Sequence, residues 1–214
     1  MIKAISFDIG NTLIKSSDSI SLTKEICSIS LENSDCIKQV YREHFLTKQI
    51  SLNDFCKKIK VDSKVVNSTV NQHYKYRASN IVWSDVLKTL KDLKKIDGII
   101  LFTLSNKSYR NPYDLKFYGL NSWFDIEIYS CNVGFAKPDV RIFQCAENKL
   151  KLKGSEIIHI GDSYISDYCG AKNAGWKSLL LDRENKYIST SKMLVLKKLS
   201  DLPIYIKNYN EREK

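Results

Sequence analysis

The first apolar run of the chain ends in a carboxylate. Ala4-Ile-Ser-Phe-Asp8 leads into Ile9-Gly10-Asn11-Thr12-Leu13. An aspartate at the carboxyl end of a buried strand lies where open α/β sheets place their chemistry. Other polar groups follow apolar runs in the same way. Ser105 and Asn106 close the run Ile99–Leu104, and Lys137 sits in Gly134-Phe-Ala-Lys-Pro-Asp139. Asp162 and Asp167 sit in Gly161-Asp-Ser-Tyr-Ile-Ser-Asp167. Each alone has an ordinary reading as a turn residue, a helix cap or an exposed lysine. Together at strand ends they suit one chemistry. Carboxylates at one edge hold Mg²⁺, a hard ion that takes oxygen ligands. A hydroxyl, an amide and a lysine hold phosphate oxygens. A free carboxylate aimed at phosphorus acts as a nucleophile and forms an acyl phosphate, which water then attacks. Metal and lysine offset the charge of the transferring group.

The elements that must position these groups follow from periodicity. Ile2–Phe7, Gly98–Leu104, Ile157–Ile160 and Ser178–Leu181 read as short buried parallel strands, with Ile126–Tyr129 as a weaker fifth. Helical spacing runs through Trp83–Lys95, Asp139–Leu152 and the short, small-residue-rich Asp167–Ala174. Strands alternating with helices give an α/β fold with a parallel sheet and right-handed crossovers. Residues 15–80 break this rhythm. They hold helical stretches at Asp35–Lys48, from Ser51 and from Asp62-Ser63, and no convincing buried strand. Ser51 followed by Asp54 is an N-cap with an acid three residues on. The segment reads as a helical insertion able to cover the strand ends as a lid. The charged end, from about Lys207, is expected to fray.

Composition narrows the class. The 214 residues are 43% hydrophobic and 27% charged, which describes a globular chain. There is no apolar run of about 18 residues, so no membrane span is expected. The N-terminus runs straight into a strand without a signal-peptide pattern. None of the six cysteines forms a C-x-x-C pair, so a zinc or redox motif is not indicated. Reduced thiols and a cytoplasmic location are expected. The net charge of +10 raises nucleic acid as a partner. The excess is spread, however, with 11 Lys/Arg against 7 Asp/Glu in residues 15–80 and 8 against 4 in residues 183–214. That distribution argues for a solvated surface that helps draw in a small phosphorylated molecule. The oligomeric state is left open.

On these residues the chain resembles the haloacid dehalogenase-like hydrolase superfamily. Asp8-Ile-Gly-Asn-Thr-Leu13 is similar to the family pattern D-x-D-x-T-[LV], with one departure. Leu101-Phe-Thr-Leu-Ser-Asn106 resembles the hydrophobic run ending in Ser/Thr-Asn. Ser130–Phe143 is similar to S-x-x-V-G-x-x-K-P-D-x-x-I-F. Ile158–Gly175 resembles h-h-x-G-D-x-x-x-x-D-x-x-G-A-x-x-A-G. The resemblance implies a Rossmann-like core domain over 1–14 and 81–214, with a helical cap domain over 15–80. It implies a Mg²⁺-dependent phosphatase acting on a small phosphorylated metabolite, with Asp8 as nucleophile and Ser105 as phosphate ligand. Lys137 would neutralise the nucleophile–phosphate pair. Asn106 and Asn11 would contact substrate. Asp8, the backbone carbonyl of Gly10, Asp162 and Asp167 would hold Mg²⁺, the last directly or through water.

The departure is Gly10. Many family phosphatases have an aspartate there that protonates the leaving oxygen and then activates water. Glycine keeps the carbonyl but supplies no acid or base. A good leaving group lessens the loss. The same departure admits a non-catalytic phospho-ligand-binding protein. Metal-independent dehalogenation, with Asp8 attacking carbon, fits less well. Family dehalogenases usually carry Ser/Asn-type residues where this chain has Asp162 and Asp167. Lys15, Ser16, Tyr41, Arg42, His44, Tyr74, Tyr76 and Arg77 are candidates for facing the site from the insertion. Asn11, Lys107 and Arg110 border the core motifs.

Overall fold

Ala4–Phe7 forms strand β1, and all four residues are buried. A strand covered on both faces reads as an unbroken apolar run, as this one does. The short strands β2 (Ile14–Lys15) and β3 (Ile81–Val82) pair antiparallel, with Ile14 opposite Val82. Four helices lie between them: α1 (Leu22–Ile29), α2 (Ser34–Tyr41), α3 (Leu52–Ile59) and α4 (Ser63–Arg77). The chain therefore leaves and re-enters the sheet region through one two-stranded ribbon. The computed structural model describes residues 1–16, 21–188, 190 and 193–212. Residues 17–20 of the helical segment, and 189, 191, 192, 213 and 214 of the remainder, lie outside that description.

The caps of these helices are local and readable. Ser51 Oγ accepts from the Asp54 amide at 3.1 Å, and Asp62 Oδ1 accepts from the Lys64 amide at 2.7 Å. Each satisfies an amide that the first helical turn leaves without a partner. Leu22, Ile26, Ile37, Phe45, Phe55 and Val70 are buried together, so the four helices have their own apolar core.

The remaining elements are α5 (Val86–Leu93), β4 (Ile100–Ser105), β5 (Ile126–Tyr129), α6 (Ser130–Val133), α7 (Val140–Leu150), β6 (Ile157–Gly161), α8 (Gly170–Asn173), β7 (Lys177–Leu181), β8 (Val195–Leu196) and α9 (Leu202–Arg212). The six-stranded sheet has the order β5-β4-β1-β6-β7-β8, with every pairing parallel. Ile5, Phe7, Ile158 and Ile160 face a core completed by Val86 and Leu90 of α5 and Ile206 of α9. Ala4, Phe102, Leu104 and Ile157 face the other layer, with Ile142, Phe143 and Trp176. From β1 the chain moves to β4 and β5 on one side, then to β6, β7 and β8 on the other. Strand order thus reverses at β1, and the crevice at such a point is where these sheets bind ligands.

All five expected strands form, with ends shifted by one or two residues. Three expectations are corrected. Asp35–Lys48 is not one helix: α2 ends at Tyr41 and a wider helical turn covers Arg42–Leu46. Asp167–Ala174 divides into a wide turn over Tyr164–Cys169 and the short α8. The C-terminal segment does not fray at Lys207, because α9 continues to Arg212. Asn210 ties it to β1's approach, accepting from the Ile2 amide at 2.6 Å and donating to the Ile2 carbonyl at 3.1 Å.

Candidate active site

Strand alternation fixes which side chains gather at the sheet edge. In β1, Ser6 alternates with Ile5 and Phe7, and Asp8 follows on the same side as Ser6. Register places Ser6 opposite His159 of β6. Both are fully buried, and His159 Nδ1 lies 2.8 Å from Ser6 Oγ. His159 Nε2 lies 3.1 Å from Asp167 Oδ1. Burial, together with the charge on Lys137, pushes the His159 pKa down, so the ring is neutral. A neutral imidazole has one donor and one acceptor. Nε2–H therefore donates to Asp167, and Nδ1 accepts from Ser6.

Asp167 is the hub. Its Oδ2 accepts from the Ser163 amide at 2.9 Å, and its Oδ1 also receives Lys137 Nζ. The carboxylate lies against the end of β6, where a Cβ on Gly161 would come within 2.2 Å of Asp167 Cγ. Only glycine at 161 leaves that space. Lys137 Nζ also donates to Asp8 Oδ1 at 2.8 Å, with 1% of its side chain exposed. A buried ammonium is tolerated only when paired. Here two carboxylates pair it, and their attraction raises its pKa despite burial.

Asn106, at the end of β4, holds Lys137 in place. Its Oδ1 accepts from the Lys137 amide at 2.8 Å, and its Nδ2 donates to the Lys137 carbonyl at 2.9 Å. The expectation that Asn106 contacts substrate is thereby narrowed, since one amide hydrogen is left for a ligand. Asn11 has φ 53°, a left-handed turn that asparagine adopts more readily than most residues. Its side chain hydrogen-bonds Asp162, and its Oδ1 accepts from the Ser16 amide at 3.3 Å. The loop after Asp8 is braced from outside by Arg183, which donates to the Thr12 carbonyl at 2.9 Å and to both oxygens of Asp85.

Oxygen atoms of Asp8, Asp162 and Asp167 all lie within 4.8 Å of one another. One lysine facing three carboxylates leaves two negative charges uncompensated. Asp167 takes the larger share of that lysine and is held well below the usual carboxylate range, although its burial works the other way. Burial and the neighbouring Asp167 push Asp8 up, with Lys137 opposing. Burial and the charges of Asp8 and Asp167 push Asp162 up to about 7. A divalent cation would remove this repulsion. The all-oxygen donor set suits Mg²⁺ rather than a softer ion. The Gly10 carbonyl accepts no hydrogen bond from the described residues and is free to join it.

The profile of the haloacid dehalogenase-like hydrolases matches residues 2–175. The chain belongs to this hydrolase family. Among its relatives, the haloacid dehalogenase-like hydrolase domain-containing protein 3 of Mus musculus is 34% identical over 124 residues, covering 56% of the chain and 49% of that protein. The chain spans about half the length of the first curated relatives it matches. A glyceraldehyde 3-phosphate phosphatase of Methanothermobacter thermautotrophicus is 26% identical over 198 residues, with 86% and 87% coverage. The crystal structure of a 2-haloacid dehalogenase from Pseudomonas syringae superposes with a TM-score of 0.68 at 18% identity, covering 98% of this chain and 100% of that one. A shared fold at that identity does not choose between reactions.

A cavity of about 190 Å³ opens above the sheet edge, between the helical segment and the core. Gly10, Ser105, Asn106 and Lys107 line it from the core side. Of the candidates on the helical segment, Ser16, Tyr41, Tyr74 and Arg77 reach it. The others are engaged elsewhere or exposed. Lys15 lies over the Trp83 ring, and Arg42 donates to the Ala136 carbonyl next to Lys137. His44 bonds Ile50 and Tyr109, Tyr76 is exposed, and Arg110 holds Asn67 and Asn71 of α4. Within Tyr41–Phe45 the roles are divided: Phe45 is core, while Tyr41 faces the cavity. Sequence reasoning missed His159. Its signal was a lone imidazole in an otherwise apolar strand, two residues before Gly161.

Proposed function

We propose that this chain is a Mg²⁺-dependent phosphatase that hydrolyses a small phosphorylated metabolite through a phosphoaspartyl intermediate on Asp8. The observation that carries the reading is the buried chain His159–Asp167–Lys137–Asp8 ending beside Asp162, next to a cavity lined by Gly10, which follows Asp8 by two residues, and by Ser105. Asp8, Asp162, the Gly10 carbonyl and Asp167 would hold the Mg²⁺, the last directly or through water. Bound Mg²⁺ supplies positive charge against the transferring phosphoryl group. Ser105 donates a hydrogen bond to a phosphate oxygen, and Lys137 keeps charge balanced as the negative phosphoryl group meets the negative nucleophile. An Asp8 oxygen bonds to phosphorus as the ester P–O bond breaks, and the departing oxygen takes its proton from water, since Gly10 offers none. Water then attacks the phosphoaspartyl phosphorus, releases phosphate and restores Asp8. Residues 15–80 serve as the cap, and the core domain comprises 1–14 and 81–214. Among the described residues no helix is long and apolar enough to cross a membrane.

The test is phosphate release from a panel of small phosphate esters and acyl phosphates, with Mg²⁺ and with excess chelator. Release only with Mg²⁺ is expected, and activity in chelator would instead favour metal-free chemistry. A cation-binding readout is independent of turnover. Asp162 is pushed up to about 7, so below that pH a proton competes with Mg²⁺. The rise in melting temperature on adding Mg²⁺ is expected to be large at pH 8 and to shrink steeply below pH ~6. Asp162→Asn should abolish it. A carboxyl whose folded pKa is raised stabilises the fold when protonated, and that contribution is lost as pH rises towards the folded value. In metal-free protein, the melting temperature of Asp162→Asn should therefore gain on that of the wild type as pH rises from 3.8 to about 7, and the gap should level off above that.

A second reading, a phospho-ligand-binding protein without turnover, draws on the missing acid at Gly10. One variant separates the two. A Cβ at Gly10 meets no atom within 4 Å, and its backbone is not left-handed, so Gly10→Asp fits without strain. Positioned acid–base catalysis is worth roughly 10²–10⁴-fold. Gly10→Asp is expected to raise kcat by about tenfold or more on alkyl phosphates, and by less on acyl phosphates, whose leaving group needs no proton. A protein built only to bind would gain nothing on either.

A further inference from the structure

Arg77 closes the last turn of α4 and lines the cavity from the helical segment, while Gly10 and Ser105 line it from the core. Its Nε is buried and has no hydrogen-bond partner, and its guanidinium makes no ion pair with any described residue. Guanidinium stays charged in proteins and presents five donors in a planar fork. Arg77 as a whole is half-buried, but its buried Nε has no partner, and an unsatisfied buried donor calls for an explanation. The end of a helix is a favourable place for positive charge. That accounts for an exposed arginine, not for one whose Nε is turned inward with nothing to bond.

Among the described residues, no neighbour supplies a paired anion. Tyr41 and Tyr74 are pushed up by burial and stay neutral phenols. His73, one turn before Arg77, is pushed down by burial and is engaged with Glu25 at 3.0 Å. Asp114 also lines the cavity, but its Oδ1 accepts from the Phe117 amide at 3.0 Å and it forms no ion pair with Arg77. We propose that Arg77 is a specificity residue that binds a second anionic group of the substrate, a carboxylate or a further phosphate, at the far end of the molecule from the phosphate held at Ser105. The substrate class is then a short phosphomonoester of an acid, or a short bisphosphate. This rests on the phosphatase reading for the position of the first phosphate.

Matched probes test it. 3-Phosphoglycerate and glycerol 3-phosphate differ at one end, carboxylate against hydroxymethyl. 1,3-Propanediol bisphosphate and its monophosphate differ by a second phosphate. Wild-type protein should favour the member with two anionic groups in at least one pair in kcat/KM, and which pair shows it identifies the anion. Arg77→Gln should lower kcat/KM on that member by about 10- to 100-fold, the loss of one charge-assisted bond, while changing its partner by less than about threefold. Arg77→Lys, which keeps the charge and the packing of the stem, should retain part of the preference. Calorimetric binding of the same probes to Asp8→Asn protein with Mg²⁺, with and without Arg77→Gln, separates the two readings. Arg77-dependent selection without turnover in the wild type would sink the phosphatase and keep this inference. Turnover with no preference, or with a preference that survives Arg77→Gln, overturns this inference alone.

Discussion

Phosphate release falls by about 10⁴-fold or more when Asp8 is replaced by asparagine, if Asp8 is the nucleophile. The change is nearly isosteric. Asparagine Oδ1 can still accept from Lys137 Nζ, which lies 2.8 Å from the present carboxylate. What is lost is the negative charge and the nucleophilicity it confers. Stability should not fall with activity. Burial and the nearby Asp167 already push Asp8 up, so its ionised form opposes the fold. Asp8→Asn removes one of three crowded charges, and the melting temperature of metal-free protein at pH 8 should hold or rise. Paired measurements of phosphate release and thermal unfolding check this. A large fall in both would mean that Asp8 is chiefly structural.

Lys137→Met behaves in the opposite way on stability. The lysine is nearly fully buried and bridges Asp8 and Asp167. Removing one partner of a buried ion pair leaves an uncompensated charge, which typically costs about 3–5 kcal/mol. The cost should depend on pH. Without the ammonium, the two carboxyls titrate at higher pH than in the wild type and are neutral in acid. The stability gap between wild type and variant is therefore small in acid and widens as pH rises through neutrality. Denaturant unfolding at pH 5 and pH 8 measures it. Turnover should drop by about 10³-fold, because no fixed cation then faces the transferring phosphoryl group. A gap that does not change with pH would mean that the lysine acts through packing alone.

The sheet was legible because its strands are buried on both faces and read as unbroken apolar runs, with the polar residue that ends each run marking the functional edge. Asp8, Ser105, Asn106, Lys137, Asp162 and Asp167 were found that way. The placement of Asn106 was not legible. Its amide grips the Lys137 backbone, a contact 31 residues away in sequence that no local pattern encodes. His159 was overlooked for a related reason: its partners come from strand register with Ser6 and from the turn that carries Asp167. The helical segment gave up its caps at Ser51 and Asp62, which are local signals. It did not give up α1, or the wide turn at Arg42–Leu46, where packing of Phe45 and bonding of His44 override a continuous helical pattern. Nor did it show which side chains face the cavity. Tyr41, Tyr74 and Arg77 were indistinguishable from Arg42, His44 and Tyr76 until the helices were seated over the sheet.

The central claim is that Asp8 carries the phosphoryl group. Its most direct test is borohydride trapping with acetyl phosphate as substrate, since that leaving group needs no acid at position 10. A phosphoaspartate reduced by borohydride becomes homoserine, which peptide mass spectrometry locates in the sequence. Homoserine is expected at position 8, only when both acetyl phosphate and Mg²⁺ are present. Phosphate release over the same interval with aspartate 8 unmodified, or with the modification at another residue, would contradict the account.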